Sequence, residues 1–393
     1  LFEKSAINER NIMNVVIAID SFKGSMSSLQ AGESAGRGVS RVFGDADIII
    51  RPLADGGEGT VDALTLGCGG RLQKSRVTGP LGKKVSCQYG IVEESKTAII
   101  EMSAAAGITL IDENERNPLN TTTYGVGEMI KDAIKKGCRN FLIGIGGSAT
   151  NDGGAGMLQA LGFDFLDKDG NQVPYGAKGL EVLEEINDDN ILPELSECSF
   201  QIACDVTNTL CGEKGCSAIY GPQKGATPTM IMQMDKWLAY YAKLAKEKYP
   251  DADARYPGAG AAGGLGFAFM TFLNGKLCPG VDIVLRETRL EEYIRDADMV
   301  ITGEGRLDGQ TVMGKAPAGV AKIAKKYNIP VLAFAGCLKE DAILCNENGI
   351  DAFFPILRNV VSYEDAMKVQ NAMNNMEAAV EQTMRLIKAV RKE

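Results

Sequence analysis

The sequence contains no histidine. That excludes a Ser-His-Asp triad, a Cys-His pair, a His-ligated zinc and an imidazole base. Proton transfer must fall to carboxylate, lysine, tyrosine, thiol or bound water. Ten cysteines are present, yet no CxxC pair occurs. The densest group (Cys204, Cys211, Cys216) lacks a second pair at zinc-ribbon spacing, so buried thiols in a reducing compartment are expected. No run of about 18 apolar residues exists to span a membrane. Residues 1–12 lack the apolar core of a signal peptide and read as a leader or tag-like segment, so a cytoplasmic location is expected. Positive charge is also in deficit: 42 basic against 51 acidic residues give −9. A nucleic-acid partner demands a basic surface and is not expected. Excess carboxylate does suit an anionic ligand that arrives carrying magnesium.

What is present is an ordinary globular composition, 45% hydrophobic and 24% charged over 393 residues, long enough for two domains. The 46 glycines are roughly 12% of the chain, against a typical ~7%. Val15-Val16-Ile17-Ala18-Ile19 reads as a buried strand. Ser27 and Gln30 then form a capping box before a helical stripe of Leu29, Ala35, Val39 and Val42. Ile48-Ile49-Ile50 is a second strand, which makes a βαβ unit and predicts a parallel sheet. The rhythm returns late, with strands predicted at 299–302, 330–336 and 353–356 and a long closing helix whose Met373, Met376, Val380, Met384 and Ile387 form a core stripe. The middle differs. Val85, Cys87, Tyr89 and Ile91 alternate with polar or small residues between turn signals, which predicts an antiparallel meander. The predicted fold class is therefore α/β: a discontinuous Rossmann-like parallel-sheet domain (13–75 and 284–393), and an inserted second α/β domain (76–283) containing antiparallel or mixed sheet. Two crossings between lobes predict a cleft, a common place for a small-molecule site.

Five constellations follow predicted strands, where ligands of open α/β sheets bind. Asp20-Ser21-Phe22-Lys23-Gly24-Ser25 offers a carboxylate, and a lysine able to meet phosphate or carboxylate before a helix N-terminus; its plain alternative is a capped loop. Asp55-Gly56-Gly57-Glu58-Gly59 sets two acids among glycines, a repulsion that a cation or a substrate hydroxyl would relieve. Gly144 to Gly156 contains Gly146, Gly147, Ser148, Thr150, Asn151, Asp152 and Gly153, whose backbone N–H groups can cradle phosphate. That loop is not a Walker A motif, and it fails the dinucleotide fingerprint because Ala149 replaces the third glycine. Asp205 at a strand end is a candidate base or magnesium ligand, and Lys224 in a later glycine turn could meet a phosphate. Last, Glu304, Arg306 and Asp308 combine a bidentate cation with two acids; an internal Arg–Asp pair is the alternative.

Together these stretches resemble the bacterial type-1 glycerate kinase family. The resemblance rests on I-D-S-F-K-G-S at 19–25, A-D-G-G-E-G-T-V-D-A at 54–63, V-T-G-P-L-G at 77–82 and N-P-L-N-T-T-T-Y-G-V-G-E at 117–128. It continues with G-I-G-G-S-A-T-N-D-G-G-A-G-M at 144–157, A-C-D-V at 203–206, G-P-Q-K-G-A-T at 221–227, P-G-A-G-A-A-G-G-L-G at 257–266 and T-G-E-G-R-L-D at 302–308. It implies ATP-dependent phosphorylation of D-glycerate, with 2-phosphoglycerate the favoured product, magnesium as cofactor, a site between two lobes and a monomer or small homo-oligomer. For such a transfer, strand-end placement makes Asp20 or Asp205 the expected base, with Asp55, Lys23 and Arg306 the other catalytic groups. The loop 146–153 and Lys224 would bind the nucleotide or substrate, and Glu304 and Asp308 the metal. An NAD-dependent dehydrogenase of a small hydroxy acid and a non-catalytic two-lobed binding protein are the alternatives.

Overall fold

The computed structural model describes residues 12–54 and 59–391. They gather in two compact units, one drawn from 1–55 and 284–393, the other from 56–283. The sequence reading put the division at 75/76. That position falls inside a strand, Arg71–Thr78, which pairs along its whole length with the next strand, and the division falls at 55/56 instead.

Among the described residues thirteen strands are formed. In chain order they are β1 (Asn14–Ile19), β2 (Asp47–Ile50), β3 (Arg71–Thr78), β4 (Lys84–Val92), β5 (Thr97–Glu101), β6 (Asn140–Gly144), β7 (Asp164–Leu166), β8 (Glu185–Asn187), β9 (Ser199–Ala203), β10 (Lys276–Cys278), β11 (Met299–Leu307), β12 (Val331–Leu338) and β13 (Ala352–Pro355). The first unit holds a five-stranded sheet in the order β13-β12-β11-β1-β2, parallel throughout. Counted within the unit, that order is 2-1-3-4-5, a doubly wound arrangement whose direction reverses between β1 and β11. Such reversals open a crevice at the carboxyl ends of the two strands. The apolar β-branched run predicted as a strand is fully buried: Val15, Ile17 and Ile19 pack with Ala31, Ala35 and Val39 of the helix Ser28–Ser40. Met376, Val380 and Met384 of the closing helix Val369–Arg391 complete that core, so the methionine stripe is a packing face.

The second unit is built on a six-stranded mixed sheet, β10-β9-β6-β5-β4-β3. β3, β4 and β5 form the predicted antiparallel meander. The alternating pattern foretold only this half. The other half is parallel, β5 with β6, β6 with β9 and β9 with β10, and its central strands β5 and β6 are largely buried runs. The register runs flush: Glu101, Gly144, Ala203 and Cys278 stand level across the four parallel strands. All four strands therefore release their following loops from one edge. A two-stranded ribbon, β7 with β8, lies apart from this sheet.

Candidate functional site

In the first unit the sheet edge at the β1/β11 reversal carries the polar groups. Ile19 pairs with Gly303, after which Asp20 and Glu304 are the next residues. Asp20 is buried; its N–H donates to the Gly303 carbonyl at 2.9 Å and its Oδ1 accepts from Ser21 N at 2.6 Å. Beyond it the chain turns tightly, with Phe22 N donating to Met26 O at 2.9 Å and Gly24 at φ 77°, and Lys23 stands exposed at the turn. Asp55, Gly56, Gly57 and Glu58 lie outside the described residues.

β11 is longer than predicted. The sequence reading ended it at 302, before a glycine-acid loop, whereas pairing with β12 carries it through Leu307. Glu304 and Arg306 are therefore strand residues. Glu304 is buried, with Oε1 accepting the Thr311 hydroxyl at 2.6 Å and Oε2 3.4 Å from Lys315 Nζ. Burial pushes its carboxyl above the usual range, while Thr311 and Lys315 pull the other way. Asp308, also buried, accepts from Arg306 Nε at 2.9 Å and from Gln310 N at 3.0 Å. Lys315 Nζ lies 3.9 Å from its other oxygen. The internal Arg–Asp pair is thus formed, although half of the Arg306 side chain remains exposed. Thr311 and Lys315 belong to this cluster as well. Lys315 directly precedes the helix Ala316–Lys326, and nothing in the sequence analysis marked it or Thr311 as a site residue.

The donor set decides what cation could sit here. Among the described residues no trio of cysteine, aspartate or glutamate is arranged to hold a metal ion. Glu304 and Asp308 do come together, but Lys315 and Arg306 already compensate their charge. They do not form a protein-only cage.

In the second unit the flush edge releases the glycine loop after β6. Asp152, read from sequence as a ligand-binding group, is fully buried. Its Oδ2 accepts from Thr123 N at 2.8 Å, Thr123 Oγ1 at 2.9 Å and Gly156 N at 3.4 Å, and its Oδ1 from Gly154 N at 3.1 Å. It fastens the loop; burial still raises its carboxyl, against those donors. Thr121 adds a second fastening, its hydroxyl donating to Ala149 O at 2.9 Å. From the far side Ala262, Gly263 and Gly264 adopt positive φ in succession, and Gly263 O accepts Gly153 N at 2.9 Å. A Cβ on Gly263 would stand 2.1 Å from Thr150 O, so only glycine allows this approach.

Lys224 is brought to the same loop and is only 2% exposed. Its Nζ donates to Ser148 Oγ at 2.8 Å and to Thr150 O at 2.6 Å. Asn151 Nδ2 donates to Ser217 Oγ at 2.9 Å, while Asn151 Oδ1 and Thr150 Oγ1 are buried with no partner among the described residues. Gly146 and Gly147 are exposed at the loop's tip. Asp205 follows β9 on the same edge; exposed, its Oδ1 accepts Gly280 N at 2.9 Å. Glu101, overlooked in the sequence, ends β5 level with Gly144, and its Oε1 accepts Val61 N at 3.0 Å in the first turn of the helix Thr60–Gly67. An acid closing the apolar run Thr97–Ile100 was the available signal.

Carboxylates, lysines and a glycine loop at the carboxyl ends of parallel strands define an α/β protein equipped to handle anions. Comparison with known proteins makes this specific. The family description that matches residues 15–388 is the glycerate kinase family. A "Glycerate kinase" of Haemophilus influenzae is 48% identical over 91% of this chain and 94% of its own. The "Glycerate 2-kinase" of Escherichia coli is 46% identical over 91% and 93%. A crystal structure titled as a putative glycerate kinase 2 from Salmonella typhimurium superposes with a TM-score of 0.90 at 44% identity, covering 98% of this chain and 100% of the other. The chain belongs to the glycerate kinase family and is a kinase.

Proposed function

We propose that this enzyme transfers the γ-phosphoryl group of MgATP to a hydroxyl of D-glycerate, giving 2-phosphoglycerate and ADP. The observation that carries the reading is the pairing of Ile19 with Gly303 at the β1/β11 reversal, after which Asp20 and Glu304 are the next residues of the two segments, in a protein of this family. The 2-hydroxyl is preferred because the Escherichia coli relative is named a 2-kinase. Ten cysteines joined by no disulfide support a reducing, cytoplasmic setting.

Phosphoryl transfer depends on positioning and charge neutralisation more than on covalent work by the protein. Magnesium comes with the nucleotide, held chiefly by phosphate oxygens as this ion commonly is, because Glu304 and Asp308 are already compensated. Their role is then to hold Lys315 and Arg306, whose remaining donors can face a phosphoryl or carboxylate oxygen. The loop 146–151 offers backbone N–H groups to an anionic oxygen. Asp20 is the favoured base: the glycerate hydroxyl loses its proton to Asp20 as its oxygen bonds to phosphorus and the bond to the ADP oxygen breaks. Asp205, exposed after β9 with one oxygen accepting Gly280 N, is the alternative base. Lys23, exposed beside Asp20, is a counter-ion for the substrate carboxylate.

Phosphorus NMR of a reaction with MgATP and D-glycerate tests the activity; a 2-phosphoglycerate resonance is expected, and no phosphorylated product would refute it. Asp20→Asn and Lys315→Met should each lower kcat about 100- to 1000-fold.

A further inference from the structure

We propose that Lys224 is a positioning residue: buried behind the loop 146–151, its ammonium holds the Thr150 carbonyl inward and lends a fixed positive charge to the N–H groups that bind an anionic substrate oxygen. The inference rests on the reading that this loop takes an anion, and it assigns Lys224 a task other than touching that anion.

Three loop carbonyls are each held by a donor from a different part of the scaffold. Gly147 O accepts Ile108 N at 2.9 Å, Ala149 O accepts Thr121 Oγ1 at 2.9 Å, and Thr150 O accepts Lys224 Nζ at 2.6 Å. Among the described residues no cis peptide is present. In a trans peptide the N–H points opposite to the C=O, so the N–H groups of Ser148, Thr150 and Asn151 are turned away from those donors. Among the described residues these three N–H groups have no acceptor. Buried backbone donors are almost always paired, so these groups mark a place for an acceptor, and Ser148, 8% exposed beside the exposed Gly146 and Gly147, is where one from outside the chain can reach the loop. The buried Thr150 Oγ1 and Asn151 Oδ1 are unpartnered in the same stretch.

Charge points the same way. Among the described residues Lys224 donates to the neutral Ser148 Oγ and Thr150 O and forms no ion pair. Asp152 and the Cys216 thiol are the titratable groups that act on it, and burial outweighs both, lowering its ammonium to about 8. Arg116 approaches from the other side, its guanidinium 3.5 Å from Gln223 O. A phosphate or carboxylate oxygen on the loop would give this buried cation its missing counter-charge. Binding and protonation are then linked, and affinity falls as pH rises past the Lys224 transition.

The test is steady-state kinetics with MgATP and D-glycerate varied separately, at pH 7 and pH 9, on wild type, Lys224→Met and Lys224→Arg. Folding is checked by circular dichroism and melting temperature. Lys224→Met should raise KM for one of the two anionic substrates by about tenfold or more, as loss of a charge-assisted contact does. The affected substrate tells whether the oxygen is the nucleotide's or glycerate's. In wild type that same KM should rise between pH 7 and pH 9; in Lys224→Met it should stay flat, and Lys224→Arg should recover part of the loss at pH 7. Folded Lys224→Met with both KM values unchanged overturns the proposal, as does a wild-type KM that is flat with pH. If Lys224→Met does not fold, the wild-type pH profile and Lys224→Arg decide. Should wild type make no phosphoglycerate, the proposed activity is what has failed. Binding of MgATP and of pyrophosphate to the same proteins at the two pH values then judges Lys224 alone.

Discussion

Asp152 and Lys224 face each other's surroundings from opposite chemistry, and both were named from sequence as ligand-binding groups. Asp152 instead takes four donors from Thr123, Gly154 and Gly156. Asp152→Asn replaces an acceptor oxygen with a donor against donors, and should destabilise the protein by about 2–4 kcal/mol, read as a lowered urea midpoint. Lys224 has a pH signature in stability too. Its ammonium titrates near 8 in the fold against 10.5 when unperturbed. Between those values the unfolded chain holds more protons than the native one, so stability rises with pH across that window. Below 8 both states are charged and the full burial penalty is present. Urea midpoints from pH 7.5 to 10.5 should show a rising component in wild type that Lys224→Met lacks.

Elements show why some local signals were legible and others were not. The capping box at Ser27 and Gln30 is formed as read, with Gln30 N donating to Ser27 Oγ at 3.2 Å and Ser27 N to Gln30 Oε1 at 2.9 Å. A cap depends on four consecutive residues, so the sequence contains all of its information. Gly38, in the same helix, looks like a residue that alanine would improve by about 1 kcal/mol. The closing helix approaches there, however, and a Cβ would stand 2.6 Å from Glu377 O. Gly38→Ala should therefore lower the melting temperature, since the clash exceeds the propensity gain. The extension of β11 to Leu307 was hidden for a related reason. Gly303, Glu304 and Gly305 are poor strand formers, and pairing with Ala335 and Cys337 of β12 overrides that preference.

At the scale of the whole molecule, each unit has its own apolar core: one around Val15, Ile17, Phe334 and Met376, the other around Phe141, Phe200, Phe269 and Tyr241. A separately cored unit is able to fold alone. The fragment 59–283 should give a dispersed amide NMR spectrum and a cooperative melt, and a collapsed spectrum would show that it needs the rest of the chain.

By itself the sequence determined the chemistry available and most of the element types. It lacked an imidazole, alternated where the sheet is antiparallel, ran apolar where strands are buried, and put acids and glycines after strands. These are properties of short windows and of composition. Only the tertiary structure decided partnership. It set Asp20 and Glu304 next after the Ile19–Gly303 pair, turned Asp152 and Lys224 inward onto a loop, and added Thr311 and Glu101 to their clusters. Those pairings join residues that strand order and register bring together across the chain, and no local pattern encodes them.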